Sequence, residues 1–253
     1  MWSGESVRRV GVLIRHNLLL MRGEPGPLVS RMILPLAFLA LLRPLYAAAQ
    51  GEAAGTEQAV VGTLVTFSLL ALGISGSAIL TERLGRTWDR LRGTALRPAE
   101  ILVGKAVPVF AAMLAQQLLV IGFGVWVLGL RVPHPPLLLG VLLCWSCTLL
   151  ALGALLGVLV RGMGELSAAY DIGGMLLSSL GGALVPLGAL PHWVAAVAPV
   201  SPGYWAVHGL RAALAGDAAT VAEVCGVLLV VALACGALAV GRLKGRSGRL
   251  VAL

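Results

Sequence analysis

The sequence predicts an all-α polytopic membrane protein. It has six transmembrane helices, an N-terminal amphipathic interfacial helix, a cytoplasmic helix between spans 2 and 3, and a re-entrant outer hairpin between spans 5 and 6. Three observations carry this prediction. First, 58% of the 253 residues are hydrophobic and only 12% are charged, with a mean hydropathy of +0.94, too little charge to clothe a soluble globule of this size. Second, apolar runs of bilayer-spanning length recur at residues 28–49, 59–80, 106–130, 137–160, 166–185 and 220–241, each near the twenty residues a spanning helix needs. Third, with both termini inside, sixteen of the nineteen lysines and arginines fall on the cytoplasmic side, and only Arg43, Arg131 and Arg211 lie outside. The opposite orientation inverts that ratio.

The net charge of +8 would point to nucleic acid in a soluble chain. Here the cations cluster between apolar runs and aromatic residues make up only 5% of the chain, so the partner they fit is anionic lipid and not nucleic acid.

Residues 1–27 form an amphipathic helix and linker, and residues 28–253 a single transmembrane domain. In the first part Val7, Val10, Ile14, Leu18 and Met21 repeat at helical spacing while Arg8, Arg9, Arg15, His16, Asn17 and Arg22 take the other positions, the pattern of a helix lying along the inner leaflet. Arg15 and His16 interrupt this stretch, so it does not read as a signal peptide. Glu24-Pro25-Gly26-Pro27 breaks the helix and turns the chain into span 1. Span 1 carries Arg31 near its start and Arg43 near its end, each within snorkelling distance of an interface. Residues 50–58 are expected to form a short outer loop. Span 2 is rich in small residues, Gly62, Gly73, Ser75, Gly76 and Ser77, which favour close helix contact.

Between spans 2 and 3 lies TERLGRTWDRLRGTALRPAEILVGK, residues 81–105, with Arg83, Arg86, Arg90, Arg92, Arg97 and Lys105. Charge alone fits a solvated basic loop. Leu84, Trp88 and Leu91, however, recur at i, i+4 and i+7 on one face of a helix, which describes an amphipathic helix held at the membrane surface. Gly93 ends it, and Pro98 suits the first position of a second helix with Glu100 in its first turn.

Span 3 contains Gln116 and Gln117 near its middle, polar groups expected to point into the bundle. A tight outer connection at residues 131–136 leads to span 4, whose Gly153 and Gly157 form a G-x-x-x-G that reports helix packing without naming the partner. Span 5 holds Asp171, about 7.5 Å along the helix axis from residue 166. Arg31 falls at a similar depth, and the two are expected to pair across the bundle, as a structural tether or as a substrate contact. In residues 186–219, Pro186, Pro191, Pro199 and Pro202 cut the chain into pieces too short to span, flanked by Trp193 and Trp205, a pattern of segments that dip into the outer leaflet.

The chemistry of a self-contained pump is absent. Gly104-Lys105-Ala106 lacks both the upstream glycine and the following Ser or Thr of a phosphate-cradling loop. His16, His134, His192 and His208 are scattered and form no metal or hydrolase motif. Cys144, Cys147, Cys225 and Cys235 all fall in apolar runs, where cysteine behaves as a small hydrophobe. Cys144 and Cys147 share a helical face, but no second pair or histidine cluster completes a metal site.

Two stretches, together with the order of elements, resemble the permease subunit of ABC-2 type transporters, the type V exporter fold. One is RTWDRLRGTALRPAEILVGK, residues 86–105, similar to the family's cytoplasmic segment between spans 2 and 3. The other combines GGALVP at 181–186, LPHWV at 190–194 and PVSPGYWAVHGLR at 199–211, similar to its outer hairpin before the last span. The resemblance implies a non-catalytic subunit of the bacterial cytoplasmic membrane. A separate ATP-binding subunit, which holds the ATP and magnesium, docks under residues 81–105 in that arrangement. Leu84, Arg86, Trp88, Arg90 and Leu91 would then transmit its movement to the spans. It also implies pairing with a second permease copy, identical or not, and an outer gate at Pro186, Pro191, Trp193, Pro199, Pro202 and Trp205.

For the substrate, the G-T-A-L-R-P-A-E wording resembles exporters of drugs and natural products, and a mostly apolar lining suits amphipathic molecules. Related permeases export polysaccharides or lipid-linked glycans, whose pathways often carry aromatic surfaces that are scarce here. Two readings from other classes stand beside these. One is an ATP-independent carrier or channel using Asp171, Gln116 and Gln117 as coupling groups; the other is a membrane enzyme built on one of the scattered histidines.

Overall fold

The computed structural model describes residues 4–23, 25–85 and 98–247. Its helices are α1 (Gly4–Gly23), α2 (Pro25–Gln50), α3 (Glu52–Leu70), α4 (Leu72–Leu84), α5 (Pro98–Trp126), α6 (Pro135–Leu159), α7 (Met163–Leu180), α8 (His192–Val197), α9 (Pro202–Ala215) and α10 (Ala218–Ser247). Two single 3-10 turns, Leu187–Ala189 and Ala198–Val200, flank α8, and no strand occurs among the described residues.

Five stretches among the described residues are long and apolar enough to cross a membrane: Val29–Gln50, Glu52–Leu84, Val103–Trp126, Pro135–Leu159 and Ala218–Arg242. The predicted span at 166–185 is the exception. α7 has 18 residues and stops at Leu180, and Glu165, Ser167, Tyr170, Asp171, Ser178 and Ser179 dilute its apolar character.

The middle of the bundle is the α3–α4 rod. In Glu52–Leu84 89% of the most apolar window is buried, against 17% in α2 and 17% in α10, so those two helices face outward and the rod is the core. α3 packs on α2, α7, α5 and α9, while α4 packs chiefly on α6 and α7. The rod is interrupted at Ala71, whose amide bonds back to Phe67 and Ser68 in a tightened turn before α4 resumes.

The outer loop expected at residues 50–58 is replaced by a one-residue turn. Gly51 takes φ 87°, a left-handed conformation open to glycine, and α3 begins at Glu52. Arg43 fixes the fold-back, pairing with Glu52 and donating from Nε to Thr56 Oγ1 at 3.3 Å. Gly55 then lets α3 lie on α2, because a Cβ there would sit 2.4 Å from the Ala47 backbone nitrogen.

The G-x-x-x-G of span 4 finds its partner in α4. A Cβ on Gly157 would lie 2.5 Å from the Gly76 carbonyl oxygen, and one on Gly153 would lie 2.6 Å from Ser75 Cβ. Ser75 Oγ closes the same seam by donating to the Leu150 carbonyl at 2.8 Å. Pro25, Gly26 and Pro27, expected to break the chain ahead of span 1, are instead the first turn of α2, where proline's missing N–H is tolerated. Residue 24 lies outside the described residues, and a helix from Pro98 is present. Residues 86–97, including the Gly93 terminator, lie outside the described residues.

Candidate functional site

The polar side chains that join elements gather at the two ends of the rod. At the end facing residues 86–97, Glu82 is buried at the close of α4 and forms an ion pair with Lys105 Nζ on α5. The two roots of the basic segment are thereby tied together. Next to it, Arg83 donates from Nη1 to the Gly157 carbonyl and to the Val160 carbonyl at 3.0 Å. A cation on the last carbonyls of α6 satisfies orphan acceptors and suits the helix dipole.

Asn17 extends the network to α1, donating from Nδ2 to the Leu13 carbonyl at 3.0 Å and the Gly104 carbonyl at 3.2 Å. Gly104 is open to this contact because Leu13 Cβ occupies the space a side chain would need, 2.7 Å from a built Cβ. Four helices, α1, α4, α5 and α6, therefore meet around the root of residues 81–105. Of the five residues predicted to contact a motor there, Leu84 is described and is exposed at 55%. Arg86, Trp88, Arg90 and Leu91 lie outside the described residues.

At the opposite end, the segment after α7 is held from three sides. Gly181 ends the helix and Gly182 turns at φ 78°. Tyr46 of α2 donates its hydroxyl to the Leu184 carbonyl at 2.5 Å, and Gln58 of α3 donates from Nε2 to the Ala183 and Gly182 carbonyls at 2.8 and 3.3 Å. Gly62 admits the Ala183 carbonyl where a Cβ would collide. Arg211 of α9 donates to Gln58 Oε1 and stands 4.0 Å from Glu57. Gln58 thus links α3, the post-α7 turn and α9 with one amide.

The predicted gate residues lie along this segment. Pro186 precedes the first 3-10 turn, Pro191 precedes α8, and Trp193 is exposed at 69%. Trp205 donates its indole N–H to the Pro199 carbonyl at 2.9 Å, closing the 3-10 turn onto α9. Pro202 takes the first turn of α9, where its missing N–H costs nothing. Ser201 caps that helix by accepting from Gly203 N at 3.1 Å, and its hydroxyl donates to the Leu177 carbonyl at 2.7 Å. α9 is more than a dipping half-helix: Ala206, Val207, Leu210, Ala213 and Leu214 are buried against the bundle.

An open cavity of about 370 Å³ lies beside the Gln58 network, lined by Glu57, His208, Arg211, Asp217 and Thr220 among others. Asp217 caps α10, and hydrogen bonds from the Thr220 hydroxyl and amide hold its carboxyl below the ordinary range.

The intramembrane polar residues separate. Gln116 and Gln117 are both buried, and Gln117 donates from Nε2 to Ser146 Oγ of α6 at 3.0 Å. Arg31 and Asp171 come within electrostatic reach of one another, short of a closed ion pair, and Asp171 is exposed. The four cysteines are free, and among the described residues no group of three or more His, Cys, Asp or Glu is placed to hold a metal ion.

Sequence reasoning missed Glu82, Asn17, Tyr46, Gln58 and Ser201. Glu82 carried a signal, since it is an acid at the start of a basic run. Tyr46, Gln58 and Ser201 act through carbonyls distant in sequence, which no local pattern reveals.

Comparison with known proteins bears on the whole arrangement. The linearmycin resistance permease protein LnrN of Bacillus subtilis (strain 168) is 23% identical over 183 residues, which cover 72% of this chain and 48% of that protein. The chain thus spans about half the length of the curated relative it matches. The family model described as ABC-2 type transporter matches residues 8–215, from the first helix through both networks to the end of α9, and the chain belongs to the ABC-2 type transporter family.

Proposed function

We propose that this chain is the non-catalytic membrane subunit of an exporter driven by ATP hydrolysis in a separate subunit. The observation that carries this reading is the rod with a clamp at each end. A push on residues 81–105 acts on the Glu82–Lys105 root, passes along the most buried element of the fold, and reaches Gln58 and the turn it holds. Leu84, Arg86, Trp88, Arg90 and Leu91 form the motor's footing, and residues 186–219 the outer gate. α7 serves as the sixth span, both termini face the cytoplasm, and the protein resides in a bacterial cytoplasmic membrane.

A second permease copy completes the pathway. Asp171 is exposed on α7 at mid-helix beside exposed Ile172, Met175 and Leu176, and a charge at that depth facing hydrocarbon is costly. A partner copy covering α7 removes that cost. The substrate class is amphipathic small molecules. The relative's name supports this reading, as do the chain's 12% charge and its 5% aromatic content, low for a glycan path. Gln117 is engaged with Ser146 inside the bundle, a packing contact, so it does not favour an ion-coupled carrier.

Co-purification of an ATP-binding subunit with this chain, abolished by Trp88→Asp, tests the partner. Reconstitution of the pair and a screen of amphipathic compounds for stimulated ATP hydrolysis tests the substrate class. Ion-gradient-driven flux through the chain alone would overturn the reading, and stimulation by glycans only would replace the substrate class.

A further inference from the structure

The element neither network explains is the outward side of α1. At 100° per residue, Ser6, Val10, Leu13 and Asn17 form one stripe, and these are the side chains turned to the bundle: Ser6 and Val10 are buried, and Leu13 and Asn17 meet Gly104. Arg8 and Arg15 are exposed and lie about 170° around the helix from that stripe, and position 22, also arginine, continues the same register. Seven residues separate each from the next, a rise of about 10 Å.

The arginine ladder is bracketed by apolar positions. Residues 7, 14 and 21 are Val, Ile and Met, each one step before an arginine in the same heptad, and Val12 and Leu19 on the other edge are exposed at 63% and 53%. Glu5 and Arg9, paired at 3.3 Å, occupy a separate polar stripe with His16. The outward side of α1 therefore offers exposed Val12 and Leu19 beside the exposed guanidiniums of Arg8 and Arg15. Apolar side chains enter the headgroup boundary while arginines snorkel to phosphate, and guanidinium matches phosphate oxygens in a bidentate fork.

We infer that Arg8, Arg15 and Arg22 form a binding ladder for the phosphates of anionic phospholipid headgroups. The ladder seats α1 in the membrane plane. Because α1 is bolted to α5 at Gly104, one residue from Lys105 of the clamp, the charge of the leaflet sets how firmly the root of residues 81–105 is held. This last consequence rests on the proposed exporter reading; the lipid binding does not.

The test is amide hydrogen exchange across residues 4–23 in the full chain. It is run in nanodiscs of phosphatidylcholine alone and of phosphatidylcholine with phosphatidylglycerol. Anionic lipid is expected to slow α1 exchange by roughly fivefold per arginine engaged, an effect weakened by added salt and lost in the triple variant Arg8→Gln, Arg15→Gln, Arg22→Gln. Arg161→Gln, a change at an exposed cation off the helix, is expected to keep the full response.

Equal protection in the two lipids, or an undiminished response in the triple variant, overturns the proposal. So does the same protection from inorganic phosphate in neutral nanodiscs, or a triple variant that sheds an ATP-binding subunit while its lipid response persists. Compound-stimulated ATP hydrolysis in the reconstituted pair reports on the exporter reading separately, so the two can fail independently.

Discussion

At the scale of single residues, the seams of this bundle are set by what is missing from glycine. Gly157 and Gly76 bring two backbones together, since a Cβ on Gly157 would stand 2.5 Å from a carbonyl oxygen that cannot step aside. Gly157→Val is expected to force α4 from α6 and lower stability by about 1–3 kcal/mol, read as a lower thermal unfolding midpoint in detergent. Gly140→Ala in the same helix meets nothing within 4 Å and is expected to hold or raise that midpoint, because alanine is the better helix former. The G-x-x-x-G spacing was legible in the sequence as packing. The small residues it meets, Ser75 and Gly76, were legible too as favouring close contact, but nothing in either local pattern matches one set to the other. Asp217 is a contrasting case at an exposed site. Its carboxyl pKa is lowered in the folded chain by Thr220, so its contribution is present above the unfolded pKa and is lost as pH falls through the lowered folded value.

At the scale of elements, both ends of the α3–α4 rod are tied to neighbouring helices, and the Glu82–Lys105 pair is the tie whose energetics can be separated. Glu82 is buried and Lys105 is about one-third exposed. Lys105→Met therefore strands a carboxylate without its cation, at a cost of about 1–3 kcal/mol after allowance for solvent near the lysine. The double variant Glu82→Met, Lys105→Met is expected to cost less than Lys105→Met alone, since no buried charge remains. A double-mutant cycle on thermal midpoints checks this, and a double variant worse than the single would show the pair contributing more than charge balance. The helices themselves were largely legible, because apolar runs and proline breaks are local signals: spans 1, 3, 4 and 6 begin and end within a few residues of their predicted bounds. Residues 50–58 were misread as a loop because Glu52, Glu57 and Gln58 look solvated. Arg43 reaches Glu52, and Arg211 reaches Glu57 and Gln58, from elsewhere in the chain, and the chain continues as helix through them.

For the whole molecule, the exposed side of α7 is the surface whose covering the proposed pathway requires. A single cysteine at Met175 in a chain cleared of Cys144, Cys147, Cys225 and Cys235 is expected to give an oxidation-dependent dimer on a denaturing gel. One at Val230, exposed at 66% on α10, is expected to stay monomeric. The reverse pattern would move the pairing face to α10. Charge reversal of Arg31 and Asp171 together, compared with each alone, tests whether their proximity matters: failure of the double change to recover folding or activity removes the pairing. The family and its general architecture were legible because they rest on the order of elements. The clamps were not, because Arg83 meets Gly157 across 74 positions of sequence and Gln58 meets Arg211 across 153, distances at which no local pattern pairs residues. The single-glycine turn at Gly51 carries a consequence for biogenesis. With α2 and α3 joined by one residue, and in the orientation proposed above, the two are expected to enter the bilayer as one hairpin, with Arg43 and Glu52 crossing as a neutralised pair. α3, which buries Thr56, Gln58, Thr63, Thr66 and Ser68, is thereby escorted into the membrane by the helix against which it packs.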